Sequence, residues 1–290
     1  MPADLTTLHR KLRMTYVLIL ANLKGGVAKT TTSIELAFHL AMAGLNVLVI
    51  DIDTDVCSTE ALDITPEKEG ADIYRLLTNP KQGIADIVQT YAGTDEHPID
   101  FPGCFHVIPG SDRVGDAPKD YDESISIGQP VGTYEEVPTY IVSTHCQMYD
   151  VVIVDPGPSR HRNNDAWLYA SNGAIAPVPA EALPKRGAAN LLRIIKQSNL
   201  KRATFKLTTQ ADLLGIVISK IIVGQEADAQ EFKEMLDSKR IPRFETLIPF
   251  TMATCKAPED CLPVGAYAPE DAGAKAFASF GKEVEMKIRA

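Results

Sequence analysis

Residues 24–31 read KGGVAKTT and follow the apolar run Tyr16–Val17–Leu18–Ile19–Leu20–Ala21. A short apolar run broken by glycines reads as a buried strand ending in a tight turn. From Thr30 to Ala43 the residues Ile34, Ala37, Phe38, Ala41 and Met42 recur at helical spacing, and Gly44 stops that helix. Val47–Leu48–Val49–Ile50–Asp51 is then a second continuous apolar run, the pattern of a parallel strand buried on both faces. Strand, loop, helix and strand within about 35 residues make a βαβ unit. That unit commits the chain to a parallel sheet covered by helices.

The loop inside the unit carries chemistry. Gly25 and Gly26 let the backbone turn its N–H groups inward, and a helix opening near Lys29 offers its positive end to an anion. Lys29 is placed to reach the β- and γ-phosphates of a triphosphate, and Thr30 to hold Mg²⁺. Val27, Ala28 and Thr31 complete the stretch that would wrap the phosphates. The ordinary pattern G-x-x-x-x-G-K-[ST] is not met, because Leu23 and Ala28 stand in its glycine positions. Lys24 instead adds a cation five positions before Lys29. One lysine serves the loop's own nucleotide, so the second suggests a charge meant for a neighbour's.

Two further segments supply acids. The second strand ends on Asp51 and Asp53, and ligands of such sheets gather at the carboxyl ends of strands. Far downstream, Tyr149-Asp150-Val151-Val152-Ile153-Val154-Asp155-Pro156-Gly157-Pro158 is an apolar strand closing on an acid and a turn. Asp155 would accept from a Mg²⁺-bound water or from the Thr30 hydroxyl, since Mg²⁺ takes few carboxylates and several waters beside phosphate oxygens. Gly157 is read as freedom for that turn to move when the γ-phosphate leaves. Arg160, His161 and Arg162 read as an exposed basic turn.

KGGVAKTT, with these acids, resembles the deviant Walker A box of the ParA/MinD family of P-loop ATPases, and the resemblance covers nearly the whole chain. It implies ATP and Mg²⁺ as cofactors, slow ATP hydrolysis, and an ATP-bound homodimer in which Lys24 crosses to the partner's nucleotide. It assigns Lys24, Lys29 and Asp53 to catalysis, with Asp53 orienting the attacking water. Thr30, Asp51 and Asp155 would then serve the metal. The family's D-x-D-P-Q is here Asp51-Ile52-Asp53-Thr54-Asp55, and its D-x-P-P or D-T-P-G is here DPGP, so both stretches depart from the pattern. In the family the loop after the late strand lies near the adenine, which nominates Pro249 and Phe250. The implied partners are non-specific DNA and a ParB-like or other cargo adaptor. The implied location is cytoplasmic and nucleoid-associated. The resemblance is nearest to partition ATPases without an N-terminal helix-turn-helix domain, since 23 residues precede Lys24.

Composition agrees. The chain has 290 residues, 45% hydrophobic and 23% charged, enough for one domain spanning 1–290 with residues 1–14 as an N-terminal extension. No apolar run approaches a membrane span, and the N-terminus has no apolar signal core. Five cysteines without a C-x-x-C pair read as reduced thiols. The expected architecture is α/β, a doubly wound, mainly parallel sheet flanked by helices. Strands are expected at Phe105–Pro109, Ala174–Val178, Leu213–Ser219 and Thr246–Ile248. Helices are expected over 71–90, Thr133–Met148, 185–198, 227–238 and 271–288, and a surface loop over 110–132.

Charge is the last signal. The formal net charge is −9, yet 182–210 holds Lys185, Arg186, Arg193, Lys196, Lys201, Arg202 and Lys206 and no acid, leaving −16 to the remainder. Cations at rough spacing suffice for phosphate contacts, and only Phe205 is there to stack on bases, so sequence-indifferent DNA binding is the expectation. A MinD-like membrane-cycling or protein-cargo-positioning ATPase is the alternative. The tail opposes the membrane form: Phe277, Phe280, Val284 and Ile288 make one stripe, and the other face mixes charges, which suits docking on the sheet.

Overall fold

The computed structural model describes residues 14–22, 24–66, 68–125, 131–158, 161–180, 185–204 and 211–289, with helix backbone alone at 125, 185–191 and 202–204. The strands are β1 (Tyr16–Leu20), β2 (Asn46–Ile52), β3 (Gln89–Thr90), β4 (Cys104–Ile108), β5 (Val151–Pro156), β6 (Gly173–Pro179), β7 (Asp212–Ile221) and β8 (Arg243–Pro249). They form one sheet in the order β3-β4-β2-β5-β1-β6-β7-β8, parallel except where β3 pairs antiparallel with β4. This is the expected doubly wound architecture.

Alternation along the central strands explains the two layers. Leu18, Leu20, Val47, Val49, Val151 and Ile153 point to one face, where they pack with Phe38, Phe244 and Phe280. Val17, Ile19, Leu48, Ile50, Val152 and Val154 point to the other, beside the fully buried Trp167. Both faces are apolar, so each strand reads as an unbroken hydrophobic run. The first face is covered by α1 (Lys29–Met42) and by the last helix, Ala272–Arg289. The last helix buries Phe277, Phe280 and Val284, with the Phe280 ring 4.8 Å from Phe244. The apolar stripe of the tail is thus spent on the sheet, as its mixed outer face implies. Among the described residues no helix is long and apolar enough to cross a membrane.

Helix α1 is anchored far from its N-terminus. Its buried Glu35 accepts the Val264 N–H and, at 3.3 Å, the Gly265 N–H, and burial pushes this carboxyl up to about 8. The helix that carries the nucleotide-type loop is therefore fixed to a C-terminal segment more than 200 residues away in sequence.

Several expected elements need correction. The segment 71–90 is not one helix: α3 (Ile73–Thr78) is followed by a 3₁₀ turn at Pro80–Gln82 and by β3. Pro80 lacks a backbone donor, and Gly83 takes φ +84°, so the helical spacing of the apolar residues cannot continue. The segment 110–132 contains a helix, α4 (Ala117–Ile125). The 133–148 helix is a 3₁₀ turn, Tyr134–Glu136, running into α5 (Val137–His145). Helix α2 (Cys57–Ala61) and helix α6 (Arg162–Ala170) were not expected. The basic helix, α7, runs over Lys185–Thr204, beyond the expected 198. The expected strands and the helices at 227–238 and 271–288 hold to within a few residues at their ends.

Candidate nucleotide site

The site forms where the carboxyl ends of β1, β2 and β5 meet. Parallel pairing sets Asp51 of β2 directly opposite Asp155 of β5, so two acids more than 100 residues apart in sequence become cross-strand neighbours. Both are fully buried. Burial, then the charge of Asp155, pushes Asp51 up to about 7. Burial likewise raises Asp155 above the usual carboxylate range.

Hydroxyls hold these acids. Asp155 accepts from Ser33 Oγ at 3.0 Å and from the Ser58 hydroxyl, and the Thr30 side chain also hydrogen-bonds to it. Asp51 accepts from Thr59 N at 2.9 Å and from Thr59 Oγ1 at 2.7 Å. Asp51 Oδ1 also accepts the Asp53 N–H at 3.0 Å. Asp53, 5% exposed, accepts the Asp55 N–H at 3.2 Å and hydrogen-bonds the Cys57 thiol. Burial first, and then the charges of Asp53, Asp51 and Asp155, push that thiol up to about 12, so Cys57 is a neutral donor here. Ser33, Ser58, Thr59 and Cys57 were not singled out from sequence. The only signal for three of them was a run of small polar residues, Cys57-Ser58-Thr59, shortly after the aspartates.

Lys29, at the first turn of α1, is 7% exposed and lies within electrostatic reach of Asp155 and Asp53. Burial lowers its pKa, and the two carboxylates act against that shift. Ala28 precedes it at φ 69°, ψ 34°, in the left-handed region, with no side-chain cap on the helix. This is where the ordinary loop has glycine, and an alanine there is strained by about 1–2 kcal/mol. The first N–H groups of α1 consequently have no side-chain acceptor at the N-cap, which suits an anion. Ala28→Gly is expected to raise stability by roughly 0.5–1 kcal/mol, because relief of strain exceeds the added chain entropy. Chemical denaturation of both proteins measures it, and a loss of stability would contradict the strain.

The remaining loop residues face a cleft. It is lined by Lys24, Gly25, Gly26, Val27, Pro179, Lys220, Ile222 and Phe250. Lys24 is exposed, and its N–H is held by Asn22 Oδ1 at 3.0 Å. Gly26 takes φ +70° with open space around it, a conformation that favours glycine. Thr31 is half-buried on the opening turn. Phe250 lines the cleft, whereas Pro249 ends β8 beside it without lining it. Lys220 and Ile222 are additions that the sequence did not mark.

The residues fit a magnesium nucleotide. Among the described residues no three His, Cys, Asp or Glu side chains gather as a preformed cage. Mg²⁺ does not need one, because it binds through one or two protein oxygens plus phosphate oxygens and waters. Thr30 bonded to Asp155 directs the hydroxyl proton onto the acid and leaves the oxygen lone pairs for a cation.

Of the basic turn after β5, His161 and Arg162 are exposed, as expected. Arg162 is not a free surface cation. It opens α6 with its guanidinium against Glu135 Oε1 at 2.7 Å, against Asp122, and over the Tyr134 ring. Arg160 lies outside the described residues. Of the basic run, Arg193, Lys196 and Lys201 are exposed on α7 while Ile195 and Ser198 are buried, so cations share the outward face. Lys201 also hydrogen-bonds Tyr169. Lys185, Arg186 and Arg202 lie on the described helix backbone, and Lys206 lies outside the described residues.

Comparison with known proteins agrees with this geometry. A family model described as an AAA domain matches residues 15–208. The chromosome-partitioning ATPase Soj of Thermus thermophilus is 29% identical over 280 residues, 93% of this chain and 95% of that protein. Cobyrinic acid a,c-diamide synthase from Mycobacterium smegmatis, solved with ADP and magnesium, has a TM-score of 0.69 at 23% identity and covers 96% of each chain. The cell-division ATPase MinD of Pyrococcus furiosus has a TM-score of 0.66 at 19% identity, over 94% of this chain and 99% of that one. The last two likenesses speak for the fold alone. With a family model spanning most of the chain and the deviant loop set against Asp51, Asp53 and Asp155, this chain belongs to the ParA/MinD family of P-loop ATPases.

Proposed function

We propose that this chain is a partition ATPase whose ATP-bound dimer holds DNA without regard to sequence and releases it after hydrolysis. The observation that carries the reading is the pairing of a phosphate-type loop and its converging acids with an acid-free cationic helix. Lys29, Asp53 and Asp155 converge at one end of the sheet, and α7 turns Arg193, Lys196 and Lys201 outward. The likeness to a chromosome-partitioning ATPase over nearly the full length supports it.

ATP and Mg²⁺ serve the site as follows. The N–H groups of Gly25 to Lys29 and the Lys29 ammonium bind the phosphates. Thr30 and Asp155, backed by Asp51, would hold a Mg²⁺, which would supply charge neutralisation at the phosphates. Asp53 accepts a hydrogen bond from the attacking water and holds it in line; the water oxygen bonds to the γ-phosphorus as the bond to ADP breaks. Lys24, exposed at the rim of the cleft, reaches the nucleotide of a second copy, so nucleotide state and pairing are linked. A ParB-like adaptor on the cargo would accelerate turnover. The protein would then work in the cytoplasm, on the nucleoid. The membrane-cycling alternative is disfavoured by the burial of Phe277, Phe280 and Val284.

A gel shift with ATP, ADP and no nucleotide tests the reading. ATP-dependent retention of unrelated DNA sequences is expected, and ATP-dependent liposome binding without DNA retention would overturn it. Neutralising Lys185, Arg186, Arg193 and Lys196 should weaken DNA retention at unchanged nucleotide affinity. If all four touch phosphates, the slope of log affinity against log salt should fall by about 3–4. An unchanged salt slope would place the DNA surface elsewhere.

A further inference from the structure

The turn after β5 is wedged between the other two loops of the site. A Cβ on Gly25 would stand 3.7 Å from Pro158 Cβ, an ordinary contact. The opposite side of the turn has no such room. A Cβ on Gly157 would lie 2.6 Å from Asp53 Oδ1 and 3.1 Å from Asp53 Cγ. Gly157 is buried, and its carbonyl accepts from Asn164 Nδ2 at 3.4 Å, which ties the turn to α6. Its φ is outside the left-handed region, so the backbone at 157 accepts any L-residue. The constraint is one of space, not backbone conformation, and it falls on the far end of the Asp53 side chain.

We propose that Gly157 is a positioning residue for Asp53: the absence of a side chain at 157 is what lets the Asp53 carboxylate stay where it is. The inference rests on the reading of Asp53 as the residue that orients water. It gives Gly157 a role beside the expected mobility of the turn. The rest of the Asp53 environment shows what an added methyl would do. Asp53 is held by the Asp55 N–H at 3.2 Å and by the Cys57 thiol. A carboxylate has a torsion to turn about, whereas the 156–158 turn is fixed by strand pairing at Pro156 and by Asn164. A methyl at 157 therefore rotates the carboxylate away from those donors before it moves the turn. The phosphate loop meets the turn through the ordinary Gly25–Pro158 contact, which a methyl at 157 leaves alone, so nucleotide affinity is expected to be largely kept.

The test compares the full chain with Gly157→Ala, Asp53→Ala and the double variant. Phosphate release in a single turnover, affinity for a fluorescent ATP analogue, and the thermal midpoint are measured for each. Gly157→Ala should lose about tenfold or more of the hydrolysis rate, with nucleotide affinity changed less than about twofold and the midpoint shifted by about 2 °C or less. The double variant should hydrolyse at the rate of Asp53→Ala alone, since a contact made through one side chain vanishes with it. Normal hydrolysis by Gly157→Ala would overturn the inference. So would a double variant that falls below Asp53→Ala by the factor Gly157→Ala shows alone, or a large midpoint loss that persists without the Asp53 carboxylate. Normal turnover by Asp53→Ala is a separate result: it removes the underlying role of Asp53, and the inference with it.

Discussion

Lys29→Ala is expected to abolish measurable ATP binding. The side chain is 7% exposed, at the first turn of α1, where the helix dipole already favours an anion. Within the protein its charge is balanced by Asp155 and Asp53. A triphosphate brings several negative charges toward two buried carboxylates, and without the ammonium that approach is repulsive. Removing a charge-assisted contact of this kind costs about 3–5 kcal/mol, some hundred- to several-thousand-fold in affinity. Titration with a fluorescent ATP analogue in Mg²⁺ measures it, with the thermal midpoint as a check that the variant is folded. Affinity within about tenfold of the parent would remove the assignment of the loop. Lys24→Ala makes the contrast. Lys24 is exposed and its backbone N–H is held by Asn22, so it should keep nucleotide binding by the monomer and lose ATP-dependent pairing.

The parts of the site that were legible in sequence are those in which local pattern and tertiary position coincide. Val47–Ile50 and Val151–Val154 are continuous apolar runs because both faces of the sheet are covered, and their acids follow because the runs end at its carboxyl edge. The loop glycines announce themselves by composition. The hydroxyls that hold the acids do not. Ser33 and Ser58 sit on different helices and meet only at Asp155, 122 and 97 residues away in sequence. Arg162 is a similar case: its carboxylate partners, Asp122 and Glu135, come from α4 and from the turn before α5, and nothing local marks the match. Helix α4 escaped notice for another reason. Among its described side chains only Ala117, Pro118 and Tyr121 bury, amid mostly exposed charges, too few apolar positions for a helical period to stand out. In 71–90 the error ran the other way, because Ile84 and Ile87 keep helical spacing while Pro80 and Gly83 break the backbone. Ala28 was visible as a departure from the glycine pattern. Its consequence, a strained left-handed residue at the mouth of α1, was not, since backbone conformation is not written in composition.

Asp53→Ala should slow hydrolysis by about a hundredfold or more while leaving ATP binding intact, and should therefore accumulate the ATP-bound dimer. Of Asp51, Asp53 and Asp155, Asp53 is the one that the metal reading leaves unused. Asp155 is engaged by Ser33, Ser58 and Thr30, and Asp51 by Thr59 and the Asp53 N–H, and the proposed reading gives both to the metal side of the site. Asp53 Oδ1 receives one backbone N–H, and the carboxylate stands close enough to Lys29 for their charges to interact. A carboxylate so placed can accept from a water lined up on the γ-phosphate, a role typically worth 10²–10⁴ in rate, or about 3–5 kcal/mol. Loss of that acceptor removes nothing that binds the triphosphate, so closure of two chains on their nucleotides persists while the step that reopens them is slow. Sedimentation with Mg²⁺ and ATP should show a long-lived dimer for Asp53→Ala and a transient one for the parent, with ADP giving monomer in both. A variant that stays monomeric and releases phosphate at the parental rate would contradict both the water role of Asp53 and the coupling of pairing to nucleotide state. A variant that dimerises but hydrolyses normally would contradict the first alone, and would direct attention to Asp55, whose N–H now orients Asp53 and whose own carboxylate is exposed to the solvent from which the water comes.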